Sequence, residues 1–363
     1  SPAPEALGWW GLQASFRVEL PLSPSLSATW IYEGLLALRA QVLGSMLQDE
    51  RCEELKQLFV GNDIKVLSKF LGKGSLKELS IRDLLQGLQP APGEELVLQS
   101  RVYASRGLHA VGSAAWLLDP DRVKREGVSL QVLKVERYQT LSSMELGTLS
   151  KQVTTYFDRY ALFLFLLGLA STYVSRVQND LLFIPFDVPT LAEVVWSGKP
   201  GAEQLWLSVR EKARSRVRGS LSSLKAWSEE YVWLRVAFNR EFIESAKSLE
   251  REVFGFRIVR LRREGNALKI YEDLPMQFLL SSKLYANPYL LDRIQDALDV
   301  LERPLGAFLR GKGSAAGQRA FRALKYLYAY SETHNQYLLA SYFRELHELC
   351  EELGGGQCRK AFL

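Results

Sequence analysis

Arginine and lysine side chains grouped in short segments are the residues of this sequence best suited to chemistry. The first group is REKARSRVRGS, residues 210–220, in which five cations and one acid contribute +4 to a formal net charge of +5. A local block of positive charge attracts a polyanion such as nucleic acid or an anionic membrane surface. On a helix, these cations fall on two sides of the axis, with Arg210, Arg214 and Arg218 on one stripe and Lys212 and Arg216 roughly opposite.

A helix that is basic on both sides buries little surface. We therefore expect the helix at residues 210–220 to project from the body or to lie between two runs of phosphate. The competing interpretation is an ordinary helix with both basic sides in solvent. A strand with all five cations on one side is less consistent with the helix-forming residues that flank the segment.

A second basic group lies in a predicted β-hairpin, FGFRIVRLRREGNALKIYEDLP, residues 254–275. Two strand-like runs meet there at REGN, a Gly-Asn signal for a hairpin turn. A basic hairpin tip can enter a nucleic-acid groove, where arginine contacts phosphates or base edges; an exposed strand edge protected by charge is an equally good reading. The cations of this group are Arg257, Arg260, Arg262 and Arg263.

A third basic group lies in the last part of the chain and, taken alone, is weak evidence for nucleic-acid binding. Its members recur at three-residue spacing, and a loop with two more cations, Arg310 and Lys312, precedes them. Together with the other groups it would give salt-dependent, largely sequence-independent binding to phosphates. The members are Arg319, Arg322 and Lys325.

Residues that support catalysis are scarce. The three histidines form neither a His-Asp pair nor an HExxH metal motif. The glycine-lysine loops at 70–75 and 310–317 lack the order of a phosphate-binding P-loop. Acids near one strand end could hold Mg²⁺ in a nuclease, and these are Asp180, Asp187 and Glu193. We expect a non-catalytic chain without a cofactor or metal, and keep the nuclease as the alternative.

The cysteines and the apolar runs bear on the compartment. Cys52, Cys350 and Cys358 have neither the number nor the spacing of a disulfide framework or a zinc site, which fits a reducing cytoplasm. The N-terminus shows no secretory signal, and the most apolar run, residues 160–170, is too short to span a bilayer, which takes about 20 residues. We expect a cytoplasmic protein without a membrane partner.

Hydrophobic spacing predicts an α+β fold dominated by helices. Period-2 alternation indicates strands, and recurrence at three and four residues indicates helices. Strands are predicted at 12–20, 94–105, 109–118, 128–138 and 180–188, the first four in one sheet, with the hairpin at 254–275. Helices are predicted at 25–88, 148–175 and 202–249. Helical spacing also dominates 276–363, with an interruption at 310–317, a helix stop at 354–356 and no further strand. Residues 1–275 would form a mixed strand-and-helix body, and 276–363 a C-terminal helical bundle.

The order of these segments resembles the large subunit of the archaeal type I-A CRISPR surveillance complex, Cascade. The similarity rests on the apolar helix followed by a strand (YALFLFLLGLASTYVSRVQNDLLFIPFDV), the basic helical stretch, the hairpin ending LKIYEDLP and the closing bundle. It extends over most of the chain. Abundant Arg, Leu and Val with few Cys and His also suit a thermophile's protein.

The resemblance implies a non-catalytic, nucleic-acid-binding subunit of a ribonucleoprotein effector complex. Its implied partners are crRNA, target DNA, the other subunits and a recruited helicase-nuclease, and its implied role includes recognition of the protospacer-adjacent motif. The family offers no short signature to place on numbered residues, so the candidate binding residues come from charge placement alone. A protein-interaction scaffold whose basic segments meet acidic partners remains a further alternative.

Overall fold

The structure, a computed structural model, describes residues 16–19, 26–40, 51–59, 61–72, 74, 80–88, 96–99, 108–111, 127–132, 154–157, 159–196, 202–265, 267–282 and 285–354. In this part of the chain helices dominate and the remaining elements are short strands and one long hairpin, which confirms the predicted helix-rich α+β class. The helices are α1 (Leu26–Arg39), α2 (Arg51–Glu54) with a 3-10 turn at Leu55–Leu58, α3 (Gly61–Phe70), α4 (Ile81–Leu88), α5 (Arg159–Thr172), α6 (Val188–Trp196), α7 (Ala202–Leu224), α8 (Glu229–Ala237), α9 (Arg240–Lys247), α10 (Pro288–Leu309), α11 (Ala315–Thr333) and α12 (Gln336–Glu352). The strands are β1 (Phe16–Glu19), β2 (Leu96–Gln99), β3 (Leu108–Val111), β4 (Thr154–Phe157), β5 (Tyr173–Val177), β6 (Asp180–Phe183), β7 (Val253–Glu264) and β8 (Ala267–Leu279).

The first strands do not form the single sheet expected from the sequence. β1 pairs with β2 in parallel, and β3 pairs with β4 in a separate parallel pair. The fourth predicted strand, 128–138, contributes a single bridge from Val128 to Phe157, and its residues 133–138 lie outside the described residues. Residues 12–15 and 20 of the first predicted strand also lie outside the described residues.

The long helix predicted at 148–175 is shorter in the structure. α5 occupies only Arg159–Thr172, because β4 precedes it and β5 follows it without a break. Gln178 has a φ of 56° at the turn between β5 and β6, which reverses the chain directly after the strand. The strand predicted at 180–188 ends at Phe183, and its last residue, Val188, begins α6.

α1 and α5 form the core of the N-terminal region, and their backbones approach each other very closely. A Cβ added at Gly34 would lie 2.0 Å from the Leu164 carbonyl oxygen, and one at Gly168 would lie 1.8 Å from that of Trp30. The two glycines therefore let the backbones touch. The Trp30 ring meets the edge of Phe165 at 5.6 Å between centroids, which fills the space beside the contact.

The four-stranded sheet runs in the order β5-β6-β7-β8, and the β5–β6 and β6–β7 pairs are antiparallel. The predicted hairpin is confirmed: β7 and β8 flank a turn with Gly265 at φ 59°, a left-handed conformation that glycine adopts without cost. β8 extends to Leu279, beyond the predicted end of the hairpin, so the expectation of no strand after Pro275 is wrong by a few residues. Buried Glu33 accepts a hydrogen bond from the Phe186 amide at 2.6 Å just beyond β6.

The chain divides into two compact units. Unit 1 comprises residues 1–204 and 256–275, and unit 2 comprises 205–255 and 276–363. Unit 2 thus groups most of α7, together with α8 and α9, with residues 276–363. Within unit 2, Phe242 stacks edge-to-face on Phe278 at 5.1 Å and on Phe254 at 5.9 Å, forming an aromatic core.

Two further observations concern the cysteines and the apolar helices. Cys350 is disulfide-bonded, which the number and spacing of the cysteines did not predict; the side chains of Cys52 and Cys358 are outside the described part of the chain. None of the helices described combines the length and apolar character needed to cross a bilayer.

Candidate nucleic-acid interface

The arginines of the hairpin are bound to carboxylates of their own sheet. Asp180, only 4% exposed, accepts from Arg260 Nη1 at 2.9 Å and from Arg262 Nη2 at 2.8 Å. Antiparallel pairing places Asp180 opposite Arg262 and Leu182 opposite Arg260, so the three charged side chains share one face. The Asp180 hydrogen bond is the main reason that the pKa of Arg262 is raised.

The other hairpin arginines have different surroundings. Arg257 Nε donates to Asp273 on β8 at 2.8 Å, and Arg260 also reaches Glu272 there. Arg263 is half-buried and has no ion pair in the described structure, although its charge interacts with Asp63. Three of the four predicted residues therefore hold the sheet together, and Arg263 does not.

α7 buries much more surface than its charge pattern suggests. The expectation that it projects from the body is wrong, because apolar side chains at helical spacing lie between the arginines and are buried. Arg210 and Arg214 are themselves only 3% and 8% exposed, and Arg214 pairs with Glu211. The buried apolar residues of α7 are Trp206, Val209, Ala213, Val217, Leu221 and Leu224.

The opposite side of α7 is also engaged within unit 2. Arg216 is half-buried and donates to the Gln295 side chain on α10. Burial, followed by the nearby charge of Arg235, lowers the pKa of Arg216. Lys212 is exposed and donates to the Ser245 hydroxyl on α9. Of the predicted group, only Lys212 and Arg218 are exposed.

Arg235, whose charge lies near that of Arg216, is the centre of a buried hydrogen-bond network in unit 2. It is 3% exposed and donates to the Tyr231 hydroxyl at 2.7 Å and to Glu302 at 3.0 Å. The Tyr231 hydroxyl in turn donates to Glu302 at 2.7 Å, and burial raises the pKa of that tyrosine. This network joins α8 to α10 and satisfies the buried charge, as a stable interior requires.

The third basic group is paired as well. Arg319 contacts Glu348 and Glu352, and Arg322 Nη2 donates to Glu345 at 3.0 Å, so two arginines of α11 bind acids of α12. Lys325 pairs with Glu230 at the start of α8. These contacts join neighbouring helices of unit 2.

A different set of cations is exposed where α7 and α10 end. Arg310 Nη1 donates to the Leu224 carbonyl at 2.6 Å, and a Cβ at Gly306 would lie 2.7 Å from the same oxygen, so the two helix ends touch. Lys225, directly after Leu224, is exposed. We define the basic surface as the exposed cations around this contact, namely Arg218, Lys225, Arg303, Arg310 and Lys312.

The members of the basic surface are spaced in two rows. Arg218 and Lys225, like Arg303 and Arg310, are seven residues apart, about 10 Å along a helix axis, and Lys225 and Arg310 directly follow the last helical residue. Residues 212–225 and 303–317 contain no Asp or Glu. Lys225, Arg303 and Lys312 have no ion pair among the residues described. Arg310, whose guanidinium donates to Leu224, has no carboxylate partner there either.

The density of cations in the sequence identified Arg218 and the loop cations Arg310 and Lys312, but it did not identify Lys225 and Arg303. Each is a single cation among apolar or small residues and stands out in no local window. The signal that could have found them is the absence of acids, since the chain has none from Arg303 to Ser331.

Two of the three acids considered for a nuclease, Asp180 and Asp187, have structural roles, and the third, Glu193, lies within α6. Asp180 is the partner of two arginines, whose guanidinium groups occupy the positions from which a cation would approach it. Asp187 precedes α6 and accepts from the Thr190 amide at 2.9 Å, as a helix N-cap does. No cluster of His, Cys, Asp and Glu suited to a metal ion occurs among the described residues.

Comparisons with known proteins give one relative of limited similarity. An uncharacterized protein of Archaeoglobus fulgidus is 23% identical over 294 residues, covering 75% of this chain and 72% of that protein. No family model matches the sequence. No solved structure matches it either.

Proposed function

We propose that this chain is a nucleic-acid-binding protein and that the basic surface of unit 2 is where phosphates bind. The observation that carries the proposal is five exposed cations around one helix-helix contact, on two segments without acids. Most arginines of the predicted groups are bound to carboxylates or buried, so they cannot bind phosphate without losing contacts within the protein. Three members of the basic surface, Lys225, Arg303 and Lys312, have no ion pair among the described residues.

The geometry suits a regular polyanion. Each row spans about 10 Å, close to three base-pair steps of 3.4 Å along one strand of a duplex. Exposed Ser222, Ser223 and Gly219 lie beside the row on α7 and leave room for a backbone to approach. Lysine and arginine contacts of this kind fix the position of a nucleic acid without reading its sequence.

As the finer proposal, the chain is the non-catalytic large subunit of a CRISPR effector complex in an archaeal cytoplasm. Its support is the resemblance in the order of elements, together with an archaeal relative over three quarters of the chain. The basic surface would then contact crRNA or target DNA, near where the protospacer-adjacent motif is recognised and a helicase-nuclease is recruited. Reading of that motif would need base contacts beyond these phosphate contacts.

Binding is tested by fluorescence anisotropy with labelled single-stranded and duplex DNA at low salt. The charge-reversed variant Lys225→Glu/Lys312→Glu should bind at least tenfold more weakly than wild type, because two favourable phosphate contacts become repulsive. The matched control is Lys65→Glu/Arg344→Glu, which makes the same charge change at two exposed positions that are not members of the basic surface. Equal loss in both variants would count against the proposed surface.

The finer proposal is tested by tagging the chain in its own host. Co-purification of crRNA with other effector subunits would support it. Recovery of the chain alone, or of protein partners without RNA, would favour the scaffold alternative.

A further inference from the structure

Arg263 lies on the face of the four-stranded sheet opposite to Arg260 and Arg262, the two arginines that bind Asp180. Successive residues of a strand point to alternate faces, so Arg263 shares its face with Leu261. Leu261 pairs with Leu181, and Leu181 pairs with Arg176 on β5. Arg176 and Arg263 therefore lie on the same face of the sheet, on β5 and β7 with β6 between them.

The guanidinium of Arg263 is incompletely bonded. Its Nε and Nη2 atoms are both buried, and neither has a hydrogen-bond partner in the structure. These two nitrogens form the side-on edge of a guanidinium, whose parallel N–H groups match two oxygens of a carboxylate or phosphate. Buried donors without an acceptor cost free energy, so an oxyanion at this edge would relieve that cost.

The surrounding charges favour an anion with more than one negative charge. Burial and the nearby charge of Arg176 both lower the pKa of Arg263. Asp63 opposes this effect, but its Oδ1 accepts from the Gln131 amide at 3.1 Å and it makes no ion pair with Arg263. Arg176 is exposed and donates from Nε to the Gln178 carbonyl at 2.7 Å, which holds it at the edge of the site.

We propose that Arg263 and Arg176 form a site for one phosphate group, held side-on by Nε and Nη2 of Arg263 with Arg176 as the second cation. The site is in unit 1 and does not depend on the basic surface of unit 2. The phosphate could be a free anion or part of a nucleic-acid backbone, and both present the same oxygens.

The test measures thermal stability of the full chain in inorganic phosphate and in chloride at equal ionic strength, and then with a dT tetranucleotide. Wild type should show an unfolding midpoint about 2–4 °C higher at a phosphate concentration about tenfold above the dissociation constant. Arg263→Met should lose this rise, and Arg176→Gln should reduce it. The control, Arg344→Met, removes an exposed arginine in unit 2 and should keep the full rise.

Arg263→Met also separates an anion site from a structural role. In chloride the variant should be at least as stable as wild type toward urea, because it removes two buried donors without partners. If the unfolding midpoint rises with both ligands, the site binds phosphate groups in general. If it rises with inorganic phosphate alone, the site binds the free anion. An undiminished rise in Arg263→Met, or no rise in wild type with either ligand, would overturn the proposal. Loss of DNA binding in the Lys225 and Lys312 variants bears only on the proposed function.

Discussion

The hairpin of the four-stranded sheet and the basic surface of unit 2 both carry several cations, but the two regions use them differently. In the hairpin, Arg260 and Arg262 converge on one buried aspartate of a neighbouring strand. At the basic surface, Lys225 and Lys312 extend from helix ends and have no carboxylate partner in the described part of the chain. Of the two regions, the hairpin has the more closely spaced cations in the sequence, and its cations are the ones neutralised by acids of the protein.

The difference shows that the number of cations in a segment is a poor guide to binding. What matters is whether the fold brings an acid from elsewhere to meet them. Strand pairing brings Asp180 to arginines about 80 residues later, whereas the ends of α7 and α10 meet at the Leu224 carbonyl, Gly306 and Arg310, without a carboxylate. A region without acids on either contacting segment remains available to a ligand.

The largest effect should come from removing the shared acid of the hairpin. Asp180→Ala leaves two partly buried guanidinium groups without a carboxylate, and we expect unfolding free energy to fall by about 3 kcal/mol. Urea denaturation of the chain measures this. The control Asp292→Ala removes an exposed acid 3.7 Å from Arg240 and should leave the urea midpoint unchanged. An equally small loss in Asp180→Ala would contradict the structural role of the hairpin arginines.

A smaller effect is expected for the third basic group, which should behave like the hairpin. Glu345, only 6% exposed, accepts from Arg322 and lies 3.9 Å from Arg319. Glu345→Gln weakens charge-assisted hydrogen bonds between α11 and α12, and should cost about 1–2 kcal/mol. Glu351→Gln on the same helix changes a well-exposed acid and serves as the control. If Glu345→Gln weakened DNA binding while the variant remained folded under the assay conditions, the third basic group would not have a purely structural role.

The smallest effect on stability is expected at the basic surface. Arg303→Gln and Lys312→Gln remove exposed charges without ion pairs in the described structure, so unfolding free energy should change by less than about 0.5 kcal/mol. Urea denaturation of each variant, beside wild type, checks this. A loss above about 1 kcal/mol would mean that these cations stabilise the fold, and the surface would no longer differ from the hairpin.

The sequence predicted local features well. The Gly265 turn, the helices from 202 to 249 and the C-terminal helices all follow from turn chemistry and helical spacing. β5 was missed because Tyr173–Val177 follows an apolar helix directly, and only the Gln178-Asn179 turn marks the reversal. The signal was present, but the preceding helical run outweighed it.

The partners of the charged residues could not be predicted, because they are set by distant contacts. Nothing near Arg262 in sequence identifies Asp180 as its acceptor, and nothing near Arg310 identifies Leu224. The burial of Arg210 and Arg214 likewise depends on how the whole of α7 packs. Charge spacing therefore located candidate cations, and only the fold separated the paired ones from the exposed ones.

The most direct test of the account is the salt dependence of DNA binding in two variants with equal net charge. One neutralises the basic surface, Lys225→Gln/Arg303→Gln/Lys312→Gln, and the other neutralises exposed but ion-paired cations, Arg240→Gln/Arg322→Gln/Lys325→Gln. We predict that the slope of log affinity against log salt becomes shallower by about 2–3 in the first variant and stays at the wild-type value in the second. Equal slopes in the two variants would contradict the central claim that unpaired cations around the α7–α10 contact bind the phosphates.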